Sequence, residues 1–361
     1  MMAWGEAGGA GVAGALRGGR RHPPVVRTAP GVHPESGRSV SGPWFDGCMI
    51  EALDIRTPGD TTDTTDITAT TDLADAVTLT PAAAPAAEPD LSGLDWAAVE
   101  AAVRQAAADE IVPRFRQLGA EEIVEKNGPH DLVTIADRRA EEHLTAALTA
   151  LLPGSRVVGE EAVHADPTVL DALHGDAPVW IVDPVDGTRQ FVHGDPGFAT
   201  LVALAHRGEV LASWTYAPAL GQMAVARRGA GAWLNGARLT AGHPAPGADL
   251  EVATSHPDFT TDDQKRVLAA LKTPGVTPRP CGSAGLEYLH IAVGRLDATA
   301  FSWENSWDHA AGLLLVHEAG GASGTVAGRP FRIEGGNALP FTAARDAETA
   351  RRILGLLAAA N

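Results

Sequence analysis

The chain has 361 residues, a hydrophobic fraction of 45% typical of a globular protein, and a formal net charge of −17 at pH 7. This length is enough for a large buried core, whereas the acidic balance argues against nucleic-acid or anionic-membrane partners, which require clustered lysine and arginine. The sequence contains no stretch of about 18 apolar residues, so no membrane span is predicted. The two cysteines, Cys48 and Cys281, do not support a disulfide framework, so a cytoplasmic protein is expected.

Residues 1–91 are rich in Gly, Pro, Ala, Thr and Asp and are predicted to form a disordered low-complexity tail. Segments such as TTDTTDITATTD (61–72) bury too little apolar surface to offset the entropy of ordering, about 1–2 kcal/mol per residue. The charges at the start follow a Gly/Ala run, which does not fit a secretory signal. Met49 could open a shorter product, so the true start of the tail stays open.

Apolar residues at near-helical spacing predict a first helix from about residue 92 to 118, interrupted near Pro113. A second helix is expected over 136–152, and Asn235-Gly236 is a strong turn signal. Strands are predicted between these features, at RVVG (156–159), VWIVD (179–183), ATLVALAH (199–206), EVLASWTY (209–216) and QMAVARR (222–228).

After a polar break near 241–250, helices alternate with short strands such as LDATAF (296–301). The predicted helices are 261–272, 283–294, 307–319 and 346–359. Strands with flanking helices, followed by an α/β part, predict layered sheets with helices between and outside them. The expected domains are the tail over 1–91, an N-terminal α+β half with a metal site over 92–245, and a C-terminal α/β half completing the site over 246–361.

The segment DPVDGT (183–188) follows the buried strand VWIVD and places Asp183 and Asp186 at its carboxyl end. Strand ends are where α/β proteins build their sites. Two carboxylates about 4 Å apart repel each other by about 4 kcal/mol near a protein surface, so such a pair implies a cation. Oxygen ligands point to Mg²⁺, Mn²⁺ or Ca²⁺ rather than zinc, and Gly187 allows the backbone to approach a phosphate.

Four other segments carry residues that fit the same site. Three of them supply acids: GEE (159–161) offers Glu160, KNGPHDLVTIAD (126–137) offers Asp137, and WDHAAG (307–312) offers Asp308. The fourth, CGSAG (281–285), opens a helix with small residues and forms a natural anion or substrate cradle. Singly, the two aspartates could be helix caps and the glutamate a solvated loop acid. As a set, these residues are better explained by one metal and phosphate site.

These segments resemble the inositol monophosphatase family, a group of metal-dependent and commonly lithium-sensitive phosphatases. The resemblance covers essentially all of 92–361, through K-x4-DLVTxxD, GEE, WIVDPVDGTxxFVHG, GSAGLEY…GRLDA and WDxAAG in that order. It implies a layered α-β-α-β-α sandwich, usually a homodimer, with Mg²⁺ (alternatively Mn²⁺) at the site. The implied reaction is hydrolysis of a small phosphorylated alcohol.

The resemblance also implies roles for individual residues. The implied metal ligands are Glu160, Asp183, Asp186, Asp308 and the carbonyl of Val185. The implied catalytic group around the attacking water is Asp137, Thr188 and Glu160. The substrate is expected to contact Glu160, Val185, Asp186, Gly187, Thr188, Gly282, Ser283, Ala284 and Asp308, with the amides of Gly187 and Thr188 on the phosphate and residues 282–284 facing the alcohol.

The identity of the alcohol is less constrained. Typical members of the family carry an inositol-contacting acid seven positions before the aspartate of the WDxAAG motif. That aspartate is Asp308 here, and the position seven residues before it is Phe301. Glu304 lies nearby but off register, and Phe301 with Trp303 would favour a flatter or less polar alcohol. Inositol 1-phosphate is the first prediction, while histidinol phosphate, fructose 1,6-bisphosphate and nucleotide 3′- or 2′-phosphates stay open.

Two other functions compete with this interpretation. A haloacid-dehalogenase-type phosphatase uses an aspartyl nucleophile in a D-x-D motif, but Asp183 and Asp186 are three positions apart. A non-catalytic protein that binds metal or polyol phosphate would need none of the catalytic residues. All of those positions hold chemically competent residues, which favours an enzyme.

Overall fold

The structure is a computed structural model that describes residues 89, 91–128 and 130–361. The tail predicted over 1–91 therefore lies outside the described residues except for Pro89 and Leu91.

The helices of the described part are α1 (Trp96–Ala106), α2 (Ile135–Leu151), α3 (Glu160–Ala165), α4 (Thr188–Val192), α5 (Asp262–Leu268), α6 (Ala284–Ala292), α7 (Ser306–Glu318) and α8 (Ala347–Ala358). The strands are β1 (Ile123–Gly128), β2 (Asp131–Thr134), β3 (Arg156–Gly159), β4 (Val179–Asp186), β5 (Ala199–His206), β6 (Glu209–Ala217), β7 (Gln222–Arg227), β8 (Gly231–Leu234), β9 (Ala237–Arg238), β10 (Leu250–Thr254), β11 (Val276–Pro280), β12 (Ala298–Ala300), β13 (Ala322–Thr325) and β14 (Phe341–Ala344).

The larger sheet has the order β3-β4-β5-β6-β7-β8-β9, with β3 parallel to β4 and the other pairs antiparallel. Both of its faces are covered. Trp180 of β4 lies in one core cluster with Val103 of α1 and Leu148 of α2. Its neighbour Ile181 lies in another, with Leu315 of α7. Because successive side chains of a strand point to opposite faces, burial on both faces explains why β4 is apolar throughout VWIV.

The smaller sheet has the order β11-β10-β12-β14-β13 and mixes parallel and antiparallel pairs. Ala253 of β10 packs with Tyr288 of α6 on one face, while Val252 packs with Ile353 of α8 on the other. Helices α6 and α7 thus lie between the two sheets. The layers run α1/α2, large sheet, α6/α7, small sheet, α5/α8, which confirms the predicted α-β-α-β-α sandwich.

The middle helix layer is packed very closely at Gly312 of α7. A Cβ at this position would lie 1.9 Å from Cδ2 of Tyr288, so only glycine lets α7 approach α6 this far. The Tyr288 hydroxyl is 2.9 Å from Nδ1 of His309, which is also buried. This packing fixes the start of α7, where Asp308 lies.

One region differs from the sequence prediction. Residues 123–134 form the antiparallel hairpin β1-β2, where the polar run EKNGPHD gives no alternating pattern that would predict strands. Lys126 therefore lies on a strand. The predicted turn at Asn235-Gly236 is confirmed between β8 and β9, with φ of 48° and 82°. None of the helices in the described part of the chain combines the length and apolarity that a bilayer crossing requires.

Candidate active site

Most of the predicted site residues meet around one cavity of about 360 Å³, whereas Asp137 and Ser283 are not among its lining residues. The carboxyl end of β4 contributes Asp183 and Asp186, and the turn into α4 contributes Gly187 and Thr188. The starts of α3, α6 and α7 point to the same place from other parts of the chain. The predicted residues that line the cavity are Glu160, Asp183, Val185, Asp186, Gly187, Thr188, Gly282, Ala284 and Asp308.

Three aspartates form a compact acidic cluster. Oxygens from Asp183, Asp186 and Asp308 all lie within 4.8 Å of one another. Asp186 accepts hydrogen bonds from the Ser283 hydroxyl and from the amides of Ala284 (3.1 Å) and Gly285 (2.7 Å). Within the described residues, every hydrogen bond donated to the three carboxylates comes from a neutral group.

Burial and mutual repulsion make this cluster unfavourable when ionised. Burial raises the pKa of Asp308 to about 8, and the charges of Asp186 and Glu160 add to that rise. Burial also raises the pKa of Asp183 well above its usual range, and the charges of Glu160 and Asp186 add to that rise. The pKa of Asp186 rises only to about 6, because its three hydrogen bonds partly offset the burial. Carboxylate oxygens gathered in this way fit a hard divalent cation, which would neutralise them.

Asp137 and Thr188 form a hydrogen-bonded pair beside the cluster. The Thr188 hydroxyl lies 3.1 Å from Oδ1 of Asp137 and 2.9 Å from the Val185 carbonyl oxygen. The other Asp137 oxygen accepts from the amide (2.8 Å) and hydroxyl (2.5 Å) of Thr134, which caps α2. Asp137 is therefore both a capping residue and the partner of Thr188. Burial raises its pKa to about 7, although Thr134 lowers it.

Glu160 begins α3 directly after β3 and lines the cavity, but it is not part of the compact aspartate cluster. It pairs with Lys126, whose Nζ lies 2.8 Å from Glu160 Oε1 and 2.6 Å from Glu161 Oε1. The Lys126 side chain is only 4% exposed. Burial lowers the pKa of Lys126, but the two glutamates outweigh this effect and hold the pKa above its usual value. Lys126 is thus a buried counter-ion of the paired glutamates.

The glycines of the site permit close approaches. Gly187 has a φ of 87°, and a Cβ there would lie 3.1 Å from both the Gly197 carbonyl oxygen and the Ser283 Cβ. A Cβ on Gly282 would lie 2.8 Å from Nε2 of Gln190. Ser283 is buried and caps α6 as well as donating to Asp186, so its side chain serves the acidic cluster.

Glu141 is a site residue that the sequence analysis missed. It is buried on α2 and accepts hydrogen bonds from the amides of Glu161 and Ala162, both at 2.8 Å. A Cβ on Gly159 would lie 2.3 Å from the Glu141 carboxyl carbon, so glycine is needed for this contact. Glu141 therefore caps α3 and fixes the start of that helix, where Glu160 lies. Glu141 lies four residues after Asp137, so both acids are on one face of α2. This spacing is the feature of the sequence that could have indicated Glu141.

We expect Glu141→Gln to lower the apparent affinity of the site for a divalent cation by about 10- to 100-fold, the usual cost of losing a group that orients a ligand. A glutamine offers one acceptor oxygen for two amide donors, so one α3 amide would lose its partner. The measurement is the cation concentration that gives half of the maximal rise in melting temperature. Its exposed neighbour Glu142 supplies the matched control, Glu142→Gln, which should leave that concentration unchanged. An unchanged value in Glu141→Gln would contradict the positioning role.

Two substrate expectations need correction. Glu304 does not line the cavity, because its carboxylate accepts from the Asn337 amide (2.8 Å) and side chain (2.9 Å). Phe301 is fully buried and also does not line the cavity. Trp303 does line it, with its indole N–H donating to Oδ2 of Asp308 at 2.7 Å.

Comparison with known proteins gives consistent results. The family model described as the inositol monophosphatase family matches residues 91–357. An inositol-1-monophosphatase of Rhizobium meliloti is 37% identical over 222 residues, which are 59% of this chain and 79% of the relative. A fructose-1,6-bisphosphatase/inositol-1-monophosphatase of Thermotoga maritima is 34% identical over 200 residues, 55% of this chain and 73% of that protein. The crystal structure of the extragenic suppressor protein suhB of Bartonella henselae is similar with a TM-score of 0.59 and 28% identity, covering 72% of this chain and 95% of that one.

Proposed function

This chain belongs to the inositol monophosphatase family, and on that premise we propose that it hydrolyses a small phosphate monoester with Mg²⁺, or alternatively Mn²⁺, as cofactor. The observation that carries the proposal is the cluster of Asp183, Asp186 and Asp308 within 4.8 Å, beside the Thr188–Asp137 pair. Structural acids rarely gather in a cavity without a cation, because burial of like charges is costly.

The metal would be held by Asp183, Asp186 and Asp308, with Glu160 and the Val185 carbonyl completing the oxygen donors. When bound, a divalent cation neutralises charge on the transferred phosphoryl group and lowers the pKa of water. Lys126 pairs with Glu160 and holds its carboxylate in place, and the amides of Ala284 and Gly285 orient the Asp186 carboxylate.

The residues around the attacking water have separate tasks. The Thr188 hydroxyl donates its one hydrogen to Asp137 (3.1 Å) or to the Val185 carbonyl (2.9 Å), and in both cases the Thr188 oxygen has lone pairs free to accept a hydrogen bond from that water. The Gly187 and Thr188 amides would donate to phosphate oxygens, and Gly282 and Ala284 leave room for the alcohol. Positioning and charge neutralisation supply most of the catalysis in phosphoryl transfer, so no covalent intermediate on the protein is required.

Inositol 1-phosphate is the reference substrate because the Rhizobium relative is named for it. Fructose 1,6-bisphosphate follows from the name of the Thermotoga relative, and histidinol phosphate and nucleotide 3′- or 2′-phosphates are further alternatives. The protein would be a cytoplasmic homodimer, as its resemblance to the family implies.

Phosphate release from inositol 1-phosphate and glycerol 2-phosphate tests the proposal. Release should require Mg²⁺ or Mn²⁺, stop on chelation, and return when the metal is restored. Asp183→Asn protein purified in parallel reports any contaminating phosphatase. The proposal fails if the wild-type protein releases no more orthophosphate from any small ester than this variant does.

A further inference from the structure

The cavity that holds the acidic cluster is also lined by ring side chains. Its ring-bearing lining residues are His130, His256, Phe259, Trp303 and Trp307. These rings come from separate parts of the chain. His130 precedes β2, His256 and Phe259 follow β10, and Trp303 and Trp307 flank the start of α7. Cavities that bind small molecules are mostly apolar with a few fixed polar groups, so these rings are candidates to contact the alcohol part of the substrate.

Trp303 is held rigidly in this wall. Its N–H donates to Asp308, and its ring lies 4.3 Å from the Phe301 ring and 5.1 Å from the His309 ring, measured between centroids. Phe301 and His309 are both fully buried. Phe301 therefore packs behind the indole, and the wall beneath Trp303 is aromatic.

Phe259 is the second informative ring. Phe259 is 55% exposed, and it is one of four large hydrophobic residues that are exposed within the described ranges. A single exposed apolar residue is ordinary on a protein surface. Phe259, however, is the one of the four that lines the cavity, with its ring 6.0 Å from that of His256. An exposed phenyl at this position gains contact area when a ligand covers it.

The polar groups near these rings are largely engaged by the protein. The Asn305 side-chain amide donates to Asp308 at 3.1 Å, Arg189 pairs with Asp258 at 2.8 Å, and Glu304 is held by Asn337. Among the residues that line the cavity, Gln190 has a buried Oε1 with no hydrogen-bond partner within the part of the chain described, whereas the other such oxygens, including those of Ser302 and Ser306, lie outside the lining. A polyol needs a partner for each hydroxyl that it buries, whereas a planar ring needs apolar contact and one or two polar anchors.

We propose that the preferred substrate is a phosphate monoester whose alcohol part carries a planar aromatic ring, as nucleoside monophosphates do. The ring stacks against Phe259 and Trp303, its phosphate faces the acidic cluster, and Gln190 Oε1 accepts one hydrogen from the alcohol part. The inference rests on the proposed phosphatase function and replaces inositol 1-phosphate as the best substrate.

The test compares kcat/KM for adenosine 2′-, 3′- and 5′-monophosphate, histidinol phosphate, inositol 1-phosphate and glycerol 2-phosphate, all with Mg²⁺. At least one ring ester should exceed inositol 1-phosphate by about tenfold or more, the value of one stacking contact. Comparison of kcat/KM for the adenosine monophosphates with that for histidinol phosphate shows whether the preferred ring is a nucleobase or an imidazole.

Variants of Phe259 then locate the ring contact. Phe259→Ala should lower the ratio of kcat/KM for the best ring ester to that for glycerol 2-phosphate by about tenfold, mainly through KM. Phe259→Tyr should keep the ratio, whereas Phe259→Leu, apolar but not planar, should lose it. Leu220→Ala is the control, because Leu220 is 43% exposed but lies outside the cavity lining.

A binding readout does not depend on turnover or metal. Adenosine should quench tryptophan fluorescence and inositol should not, with weaker quenching in Phe259→Ala. Inositol 1-phosphate as the best substrate, or an equal effect of Phe259→Ala on all esters, would overturn the inference and leave the phosphatase function intact. If no ester released phosphate, the proposed function would fail, and the adenosine titration would still decide whether the ring site exists.

Discussion

Asp183→Asn is expected to abolish turnover while leaving the protein folded. Asp183 is one of the three aspartates of the acidic cluster, and loss of a metal contact that stabilises phosphoryl charge by several kcal/mol reduces kcat about a thousandfold or more. In metal-free protein, the same substitution removes one buried carboxylate from a repelling group, so the melting temperature should be equal or higher. Phosphate release and thermal unfolding in EDTA are the two measurements.

The exposed Asp171 provides a matched control, since Asp171→Asn makes the same chemical change outside the cavity and should alter neither quantity. Activity near the wild-type level in Asp183→Asn would refute the metal role. Loss of activity together with loss of folding would show that Asp183 is structural.

Metal-free protein is expected to become less stable as pH rises from about 4 to about 8, and Mg²⁺ should reverse most of that loss. Burial raises the pKa of Asp308 from 3.8 to about 8 in the folded state. Between these values the folded chain holds a proton that the unfolded chain has released, so the free energy of unfolding falls as pH rises. Asp137 and Glu141, whose pKa values burial raises to about 7, act in the same direction.

Urea unfolding at pH 5, 6, 7 and 8, with EDTA and with excess Mg²⁺, measures this effect. At a Mg²⁺ concentration about 100 times its dissociation constant, the free energy of unfolding should rise by about 2.7 kcal/mol. The increment should be largest at pH 8, where the cluster would otherwise be ionised without a counter-ion. A stability that rises with pH in EDTA, or that does not respond to Mg²⁺, would contradict a cation site at the aspartates.

The sequence predicted most of the fold because its main elements carry strong local patterns. The strand VWIVD and the helix beginning at WDHAAG are apolar on both sides, and both prove to be buried between layers. The close α6–α7 approach depends on Gly312, the last residue of the WDHAAG segment.

The missed features depend on contacts between distant residues. Lys126 is a buried counter-ion only because β1 brings it to Glu160, and a polar segment gives no sign of that pairing. Glu141 is recognisable as a cap only when α3 is known to begin beside it. Glu304 looked available to a substrate because the loop at Asn337 that holds it lies far along the chain.

The arrangement of the acidic cluster has a consequence for biosynthesis. Asp183 and Asp186 come from the larger sheet, whereas Asp308 comes from the helix that the smaller sheet covers. A nascent chain that has completed only its first sheet lacks one of the three aspartates and lacks the ring wall at Trp303. The three-aspartate cluster is therefore complete only after Asp308 and the helix that carries it have packed onto the larger sheet.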